Sequence, residues 1–271
     1  MTWVAAVARL RARRESGVLV TVATVRGHAP RDAGAKLVVG RTETWGSIGG
    51  GNVEAVAIDR AREMIAASKP EPEPELIDFA LNDKVANQHG VQCCGGTVSV
   101  LLEPLPVVRA VAIFGVGHVG LELARILARQ DLDLHLIDSR SDILTEERLD
   151  VLADAVAQVH VHHTPLLPEE VLAELPRGTH ILIMTHDHAE DAALCDAALR
   201  TTHLGSIGLI GSAAKWARFR KRLTTEGGHD EATIDRIKTP IGLADITGKE
   251  PATIAVSVAA DLLRSFETEG N

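Results

Sequence analysis

Hydrophobic residues along the first hundred positions are spaced as in one amphipathic helix and several strands. Residues 2–14 carry apolar side chains at helical spacing behind Thr2, a residue suited to cap a helix. The apolar positions of this helix are Trp3, Val4, Val7 and Leu10. The predicted strands are 18–25, 36–39, 42–45, 76–81 and 97–102. We therefore expect a small α+β domain over residues 1–104.

The second half of the chain alternates buried strands with helical segments, the pattern of a parallel sheet covered on both faces. The predicted strands are 109–114, 132–137, 156–160, 180–184 and 206–210. The predicted helices are 121–127, 168–175, 189–199 and 251–263. This order predicts an α/β protein in which a Rossmann-like, doubly wound parallel-sheet domain over residues 108–271 follows the smaller domain.

A glycine-rich turn joins the first strand of the second domain to its helix. Gly115, Gly117 and Gly120 fill the three glycine positions of G-x-G-x-x-G, with His118 between the last two, and Asp138 ends the next strand. An acid about 20 residues beyond such glycines can bond a ribose hydroxyl, while the helix N-terminus receives a pyrophosphate. Together these features predict a dinucleotide site, although a Rossmann fold can also exist without that ligand.

Two later strands of this domain also end in polar residues, and the carboxyl ends of parallel strands face the ligand crevice. His186 and Asp187 follow the fourth strand, and Gly211 and Ser212 follow the fifth, just before Lys215. We place all five in the nucleotide site. Lys215 has a second interpretation, as one of several basic residues on a solvated helix face.

A second glycine run, Gly49-Gly50-Gly51, leads into a helical segment for which Asn52 is a suitable cap and in which Glu54 follows. Free backbone N–H groups and the helix dipole make such a junction an anion-binding arrangement. The alternative is a tight exit from a hairpin, which needs glycine only for its backbone dihedral angles.

Two of the three cysteines are adjacent, in the run Gln92-Cys93-Cys94-Gly95-Gly96. Neighbouring side chains point apart, so an ordinary disulfide between them would strain the backbone. The doublet is therefore either a pair of accessible thiols beside a ligand-accepting loop or two small buried hydrophobes. Both interpretations remain open on the doublet alone.

Composition narrows the class of protein. The net charge is −9 and 45% of the residues are hydrophobic, so the chain can bury a core and lacks the basic surface that nucleic acids require. Three cysteines without a repeating framework indicate a reducing compartment, and Cys195 is expected in the core. The N-terminus does not resemble a signal peptide, and no apolar run is long enough for a membrane span. A cytoplasmic protein is expected.

The twelve histidines raise the question of a metal site. His160 and His162 share a strand face, but His163 does not, and no nearby cysteine or carboxylate completes a tetrahedral set. His186 and His188 alternate in the same way. The sequence has no H-E-x-x-H, C-x-x-C, P-loop or G-x-S-x-G pattern. We expect no metal other than one carried by a cofactor.

In this order, the motifs resemble the XdhC/CoxI family. In the first domain the resemblance rests on residues 30–31, 34–36, 46–54 and 92–96. In the second it rests on residues 115–120, 185–188, 208–212 and 215, 240–243 and 254–257. The resemblance covers nearly the whole chain and implies the same two-domain fold.

The resemblance implies a xanthine dehydrogenase accessory protein, a cofactor-insertion chaperone more than a catalyst. Such a protein binds the molybdenum cofactor, holds it while its terminal oxo ligand is exchanged for sulfur, and delivers it to apo-xanthine dehydrogenase. Its expected partners are that enzyme and a cysteine desulfurase, and its expected assembly is a homodimer. The cysteine doublet favours the xanthine dehydrogenase branch of the family.

With the resemblance, the first-domain motifs are expected to form one cofactor site. Cys93 or Cys94 would lie near the molybdenum, because a thiolate is a soft ligand, and the glycine run would take the molybdopterin phosphate. The expected cofactor-binding residues are Cys93, Cys94, Gly95, Gly96, Gly49, Gly50, Gly51, Asn52 and Glu54, with Arg31 and Lys36 as countercharges. The expected residues for NAD(P) or another nucleotide are Gly115, Gly117, His118, Gly120, Asp138, His186, Asp187, Gly211, Ser212 and Lys215.

Two other functions fit the same motifs. An NAD(P)-dependent oxidoreductase would use the Rossmann glycines and Asp138, but the sequence has no tyrosine for a catalytic Tyr-Lys pair. A redox-sensing regulator would register oxidants with Cys93 and Cys94 and bind a nucleotide in its Rossmann domain. The three functions differ in whether the purified protein carries a pterin, a nucleotide or neither.

Overall fold

The computed structural model describes residues 1–67, 72–81, 96–165 and 170–268. These residues form two compact units, residues 1–107 and residues 108–268, and each is built around its own β-sheet and hydrophobic core. Within these ranges, no helix combines the length and the apolar character that a membrane span requires.

The first unit is a five-stranded antiparallel sheet with one helix packed on each face. Its strands are β1 (Gly17–Arg26), β2 (Lys36–Gly40), β3 (Thr44–Gly46), β4 (Glu75–Ala80) and β5 (Thr97–Leu105). Its helices are α1 (Trp3–Ala12) and α2 (Gly51–Ala67). The order across the sheet is β3-β2-β1-β5-β4, and β2 and β3 form the predicted hairpin.

The first helix is capped as predicted but presents a narrower face to the sheet. The hydroxyl of Thr2 accepts a hydrogen bond from the first turn of α1. Ala6 and Leu10 are buried against the sheet, whereas Trp3 and Val4 are exposed, contrary to the helical pattern. Ala6 and Leu10 are one turn apart and lie on the same side of the helix, and this side faces the sheet.

The second unit is a six-stranded parallel sheet between two layers of helices. Its strands are β6 (Ala110–Phe114), β7 (Asp133–Asp138), β8 (Gln158–His163), β9 (His180–Ile183), β10 (Ile207–Leu209) and β11 (Ile237–Lys238). Its helices are α3 (His118–Leu127), α4 (Glu146–Leu149), α5 (Glu170–Glu174), α6 (His188–Arg200), α7 (Ala213–Thr225), α8 (Glu231–Ile234) and α9 (Pro251–Thr268).

The strand order β11-β10-β9-β6-β7-β8 reverses between β6 and β9. From β6 the chain moves outward through β7 to β8, then returns to the other side of β6 and continues outward from β9. Helices α3 and α9 pack on one face of the sheet, and α5 to α8 pack on the other. The predicted Rossmann-like, doubly wound fold is confirmed, and its switch point lies between the carboxyl ends of β6 and β9.

Several boundaries differ from the prediction. The third strand of this unit was expected at 156–160, but β8 is Gln158–His163, because its alternating valines and histidines continue to pair with β7 up to Asp138. Three short elements, β11, α4 and α8, were not predicted, because segments of two or four residues are too short to show a periodicity. Residues 168–169 of the helix predicted over 168–175 lie outside the described residues.

Candidate functional site

Three loops meet at the carboxyl end of the parallel sheet, where the strand order reverses. They follow β6, β7 and β9 and contain residues 115–117, 139–140 and 184–187. Because β6 lies between the other two strands, its glycine loop is at the centre. We refer to the space bounded by these three loops as the crevice.

The three glycines of the central loop have different structural roles. Gly115 has a φ of +100°, and a Cβ there would overlap the backbone of Met184 and Thr185. A Cβ at Gly120 would overlap the carbonyl oxygen of Gly115, so Gly120 lets the helix pack closely on the turn. At Gly117, a Cβ would have no described atom within 4 Å. The loop is therefore open at Gly117, where a ligand can approach the backbone.

Helix α3 starts at this opening. Gly117 is its N-cap residue, and within the described chain no side chain caps the first turn. The first N–H groups of α3 and the positive end of its dipole are therefore available at the exposed residue His118. This arrangement suits a phosphate group. Nucleotide binding here stays a prediction.

The side chain of Asp138 is 2% exposed and is bonded within the chain. Oδ2 accepts a hydrogen bond from the N–H of Val116 at 2.8 Å. The Arg140 guanidinium donates to both carboxylate oxygens at 2.9 Å, and the Arg140 N–H donates to Oδ1. Burial alone would raise the pKa of Asp138, but the Arg140 and Val116 donors outweigh it and lower that pKa. Asp138 thus fixes the glycine loop.

Arg148 holds the same loop from the other side. Its guanidinium donates to the carbonyl oxygens of Ile143 at 3.2 Å and Val116 at 3.3 Å. Val116 is therefore bonded through both its N–H and its carbonyl group, and the shape of the loop is set without a ligand. The sequence did not indicate Arg148, because it lies in the short helix α4 that no periodicity predicts.

Lys215 is buried, so its interpretation as a charge on a solvated helix face is wrong. Its Nζ lies 2.5 Å from Oδ2 of Asp191 and donates to the carbonyl of Ile210 at 2.9 Å. Oδ1 of Asp191 accepts hydrogen bonds from the N–H and the hydroxyl of Thr185, at 3.0 and 2.7 Å. The ammonium group that was predicted to meet a phosphate is thus engaged in an internal ion pair.

Gly211 and Ser212 lie beside Lys215 and contribute to the start of α7. The hydroxyl of Ser212 accepts a hydrogen bond from the Lys215 N–H at 3.3 Å. A Cβ at Gly211 would lie 2.9 Å from the Lys215 side chain. The structure brings the three predicted residues together, and the contacts among them are structural.

His186 and Asp187 are exposed in the loop before α6. Asp187 caps that helix by accepting hydrogen bonds from the N–H groups of Ala189 and Glu190, and these bonds lower the pKa of Asp187. The strand-like alternation expected of His186 and His188 is wrong, because His188 is already the first residue of the helix.

Glu190 is a crevice residue that the sequence did not indicate. It lies in the first turn of α6, and its Oε2 accepts a hydrogen bond from the Ser139 hydroxyl at 3.1 Å. Ser139 follows β7, so this bond connects the β9 and β7 sides of the crevice. Burial raises the pKa of Glu190, although the Ser139 bond and nearby His186 act in the opposite sense. Acidic residues are common in the first turn of a helix, so the position of Glu190 in the sequence did not indicate a function.

In the first unit, the glycine run before α2 surrounds a carboxylate of the chain itself. Oε2 of Glu54 accepts hydrogen bonds from the Ser47 hydroxyl at 2.6 Å and from the N–H groups of Ile48 and Gly50 at 2.9 and 3.0 Å. Burial opposes ionisation, but these bonds outweigh it and lower the pKa of Glu54. Backbone donors expected for a ligand anion are present, and Glu54 occupies them.

The backbone conformation of the run also requires glycine. Gly49, Gly50 and Gly51 have φ values of +124°, +71° and +63°, a region that other residues rarely adopt. The prediction that Asn52 caps the helix is wrong. Helix α2 begins at Gly51, so Asn52 lies within the first turn of the helix, where it is buried.

The loop after β1 contacts two of the predicted motifs. A Cβ on Gly49 would lie 2.6 Å from Pro30 and 3.3 Å from the side chain of Arg31. A Cβ on Gly96 would lie 2.6 Å from the carbonyl oxygen of Arg26. The glycine run, Arg31 and the described end of the Cys-Cys-Gly-Gly segment therefore share one end of the sheet.

Lys36 is placed differently from Arg31. Its Nζ bonds the Thr21 hydroxyl at 2.9 Å and lies 5.3 Å from the centre of the Trp3 ring. This is the face of the sheet that carries α1, whereas the glycine run leads into α2 on the opposite face. The structure thus does not bring the Lys36 ammonium to the glycine run. Cys93, Cys94 and Gly95 lie outside the described residues, and their roles stay predictions.

Three histidines lie together on β7 and β8. The rings of His135 and His160 stack with centroids 4.6 Å apart, and Nδ1 of His135 lies 3.1 Å from Nε2 of His162. Burial and the neighbouring His160 lower the pKa of His162. In the part of the chain that the structure describes, no three or more His, Cys, Asp or Glu side chains are arranged to hold a metal ion.

Comparison with known proteins gives matches in both units. Residues 111–262 match the XdhC Rossmann domain, and residues 10–79 match the XdhC and CoxI family. The uncharacterized protein YqeB of Escherichia coli K12 is 26% identical over 239 residues, which cover 88% of this chain and 41% of YqeB. The chain thus spans about two fifths of the length of that relative.

A crystal structure described as a xanthine dehydrogenase from Bacillus halodurans is also similar. It is 19% identical to this chain with a TM-score of 0.49, and the similarity covers 99% of this chain and 96% of the other. The Rossmann-domain match alone covers more than half of the sequence. On that match, this chain belongs to the XdhC/CoxI family.

Proposed function

We propose that this protein binds the molybdenum cofactor, holds it while its terminal oxo ligand is exchanged for sulfur, and delivers it to apo-xanthine dehydrogenase. The proposal rests on membership of the XdhC/CoxI family, which is associated with the maturation of this cofactor. In this scheme the protein is a chaperone that works with a cysteine desulfurase, and it functions as a homodimer.

One observation in the first unit supports a cofactor site. The loop carrying Pro30 and Arg31 contacts the glycine run, and the same loop region contacts Gly96. Cys93 and Cys94, which lie outside the described residues, precede Gly96 by three and two positions in the sequence. The proposal treats the glycine run, Arg31 and the cysteine doublet as parts of one site.

The cofactor, when bound, supplies a molybdenum centre held by a dithiolene, and a phosphate. Cys93 or Cys94 would hold the metal end, because a thiolate is a soft ligand. Arg31 would attract the phosphate with its guanidinium. Since Glu54 already occupies the donors of Ile48 and Gly50, we place the phosphate beside the glycine run and not within it.

Anaerobic cofactor binding by cysteine variants tests this proposal. Cys93→Ala or Cys94→Ala is expected to weaken binding and to reduce activation of apo-xanthine dehydrogenase. The matched control is Cys195→Ala, because Cys195 is fully buried and burial raises the pKa of its thiol to about 12. Undiminished binding and activation in both doublet variants would overturn the cysteine assignment.

We also propose that the crevice of the second unit binds a nucleotide. The open position at Gly117 and the uncapped start of α3 support it. Titration with ADP, NAD(H) and NADP(H) tests this, with native mass spectrometry of the purified protein to identify a carried pterin or nucleotide. Hydride exchange between a bound nicotinamide and a substrate would favour an oxidoreductase over a chaperone.

A further inference from the structure

Asp138, the acid expected to accept a ribose hydroxyl, has little capacity left for a ligand. Its two oxygens already accept four hydrogen bonds, from Val116 and from three nitrogens of Arg140. The side chain is 2% exposed. A ribose hydroxyl would have to displace a charge-assisted bond from Arg140, which is among the stronger hydrogen bonds in proteins.

Glu190 differs from Asp138 in each of these respects. Its helix starts on the β9 side of the central glycine loop, but its carboxylate reaches Ser139, the residue directly after Asp138, and it is partly exposed. Among the described residues, its carboxylate accepts one hydrogen bond, from the Ser139 hydroxyl to Oε2. A carboxylate can accept bonds at about four lone-pair positions, so Glu190 retains acceptor capacity on the crevice side of α6.

The surroundings of the Glu190 carboxylate favour additional hydrogen-bond donors to it. Burial raises its pKa, and the nearby carboxylates of Asp138 and Asp191 act in the same sense. His186 opposes them, and Arg140 also interacts with Glu190 electrostatically. A partly desolvated carboxylate without a bonded cation is stabilised by any hydroxyl that donates to it. Ser139 shows that a hydroxyl fits there, since one already donates at 3.1 Å.

We infer that Glu190, with Ser139 beside it, is the group that binds the ribose diol of a nucleotide in the crevice. The inference rests on the proposed nucleotide site. It assigns recognition of the ribose to Glu190 instead of Asp138. Asp138 positions the glycine loop, and Glu190, which reaches Ser139 beside Asp138 from the first turn of α6, recognises the sugar. The ligand class is a nucleotide with free 2′- and 3′-hydroxyls, whose phosphates lie at the start of α3.

A ligand-and-variant cycle on the full chain tests the inference. ADP and 2′,3′-dideoxy-ADP are titrated calorimetrically into the wild type, Glu190→Ala and Glu147→Ala. Glu147 is the matched control, because it is an exposed glutamate in the first turn of α4. In the wild type, loss of the two hydroxyls is expected to weaken binding about tenfold. Glu190→Ala is expected to weaken ADP binding by a similar factor and to leave dideoxy-ADP binding unchanged.

Three other results would overturn the inference in distinguishable ways. If ADP binds the wild type and Glu190→Ala equally well, the crevice is a nucleotide site but Glu190 is not its sugar-binding residue. If neither nucleotide binds the wild type at millimolar concentration, the nucleotide proposal itself fails and the inference fails with it. An equal loss of ADP and dideoxy-ADP in Glu190→Ala would assign Glu190 a structural role.

Discussion

At the scale of single residues, a carboxylate of the chain holds each of the two glycine-rich loops. Glu54 accepts hydrogen bonds from two backbone N–H groups of the run before α2, and Asp138 accepts one from Val116 in the loop before α3. The pKa of each is lowered, because bonds to the ionised form outweigh the cost of burial. Both loops therefore have their shape before any ligand binds.

Glu54→Gln is expected to lower the free energy of unfolding by about 1–2 kcal/mol at pH 7. The folded pKa of Glu54 lies below its ordinary value of 4.5, so its contribution is complete above that value and is lost as the pH falls through the folded pKa. The difference in the free energy of unfolding between the variant and the wild type should thus become smaller as the pH falls. Urea unfolding from pH 7 to pH 3 measures it.

The matched control for this series is Glu63→Gln on the same helix. Glu63 is exposed and pairs with Arg60 at the surface, so the expected change is below about 0.5 kcal/mol. If Glu54→Gln lowers the free energy of unfolding by the same amount at every pH, the lost stability does not come from the ionised carboxylate.

The glycines of the Rossmann loop give a second residue-scale prediction. Gly115→Ala is expected to destabilise the fold by about 2–4 kcal/mol, because of its φ of +100° and its contact with the β9 loop. Gly117 has a φ of −69°, which alanine adopts freely, so Gly117→Ala should keep its stability and lose ADP affinity. Thermal unfolding and calorimetry separate the two effects. Unchanged ADP affinity in a folded Gly117→Ala variant would contradict the approach of a ligand at this position.

At the scale of elements, a buried ion pair joins α6 to α7. Asp191 is fully buried and Lys215 is 7% exposed, and Asp191 also bonds Thr185 at the end of β9. Two helices and a strand end are thus fixed through one carboxylate. Replacing one partner of such a pair leaves an uncompensated charge in the interior, whereas replacing both partners leaves no buried charge.

Lys215→Met is therefore expected to cost about 3–5 kcal/mol of stability, and the double variant with Asp191→Asn should recover a large part of it. The asparagine keeps an oxygen for the Thr185 bonds. Urea denaturation of the two single variants and the double variant gives the coupling energy. Additive losses would show that the two residues contribute independently.

The elements that the sequence predicted are those with a long periodic pattern. The β6–α3–β7 succession has continuous apolar strands and a glycine turn, and both boundaries of α6 were placed within one residue. The bounds predicted for β8 were wrong because its histidines are polar by composition yet alternate like strand residues. Asn52 was wrong as a cap because the helix begins one residue earlier, at Gly51, and helix propensity does not fix an exact first residue.

At the scale of the whole molecule, the crevice belongs to one unit. Every residue named in it lies between residues 108 and 268, which form a compact unit with its own core. We predict that a fragment of residues 108–271 folds and binds ADP with the affinity of the full chain, as measured by circular dichroism and calorimetry. A folded fragment that fails to bind ADP, when the full chain does bind it, would place part of the nucleotide site in residues 1–107.

The candidate sites were predictable to different degrees. The Rossmann glycines were found because their spacing reflects a backbone geometry that recurs wherever the fold does. The ion pairs of Asp138 with Arg140 and of Lys215 with Asp191 could not be predicted from the sequence, because each depends on which side chains the fold brings into contact. Glu190 was missed for the same reason, as its partner Ser139 is distant in the sequence and adjacent only across the sheet.

The carboxylate inside the glycine run also bears on how this loop can change during evolution. Glutamate and glutamine codons differ at a single base, so one mutation at Glu54 would neutralise the charge that the donors of Ile48 and Gly50 now surround. The oxygen of a glutamine would still accept hydrogen bonds from these donors, so the loop would keep an acceptor and lose only the negative charge. A relative with a short side chain at this position, such as alanine, would instead leave the same N–H groups free for the anion of a ligand.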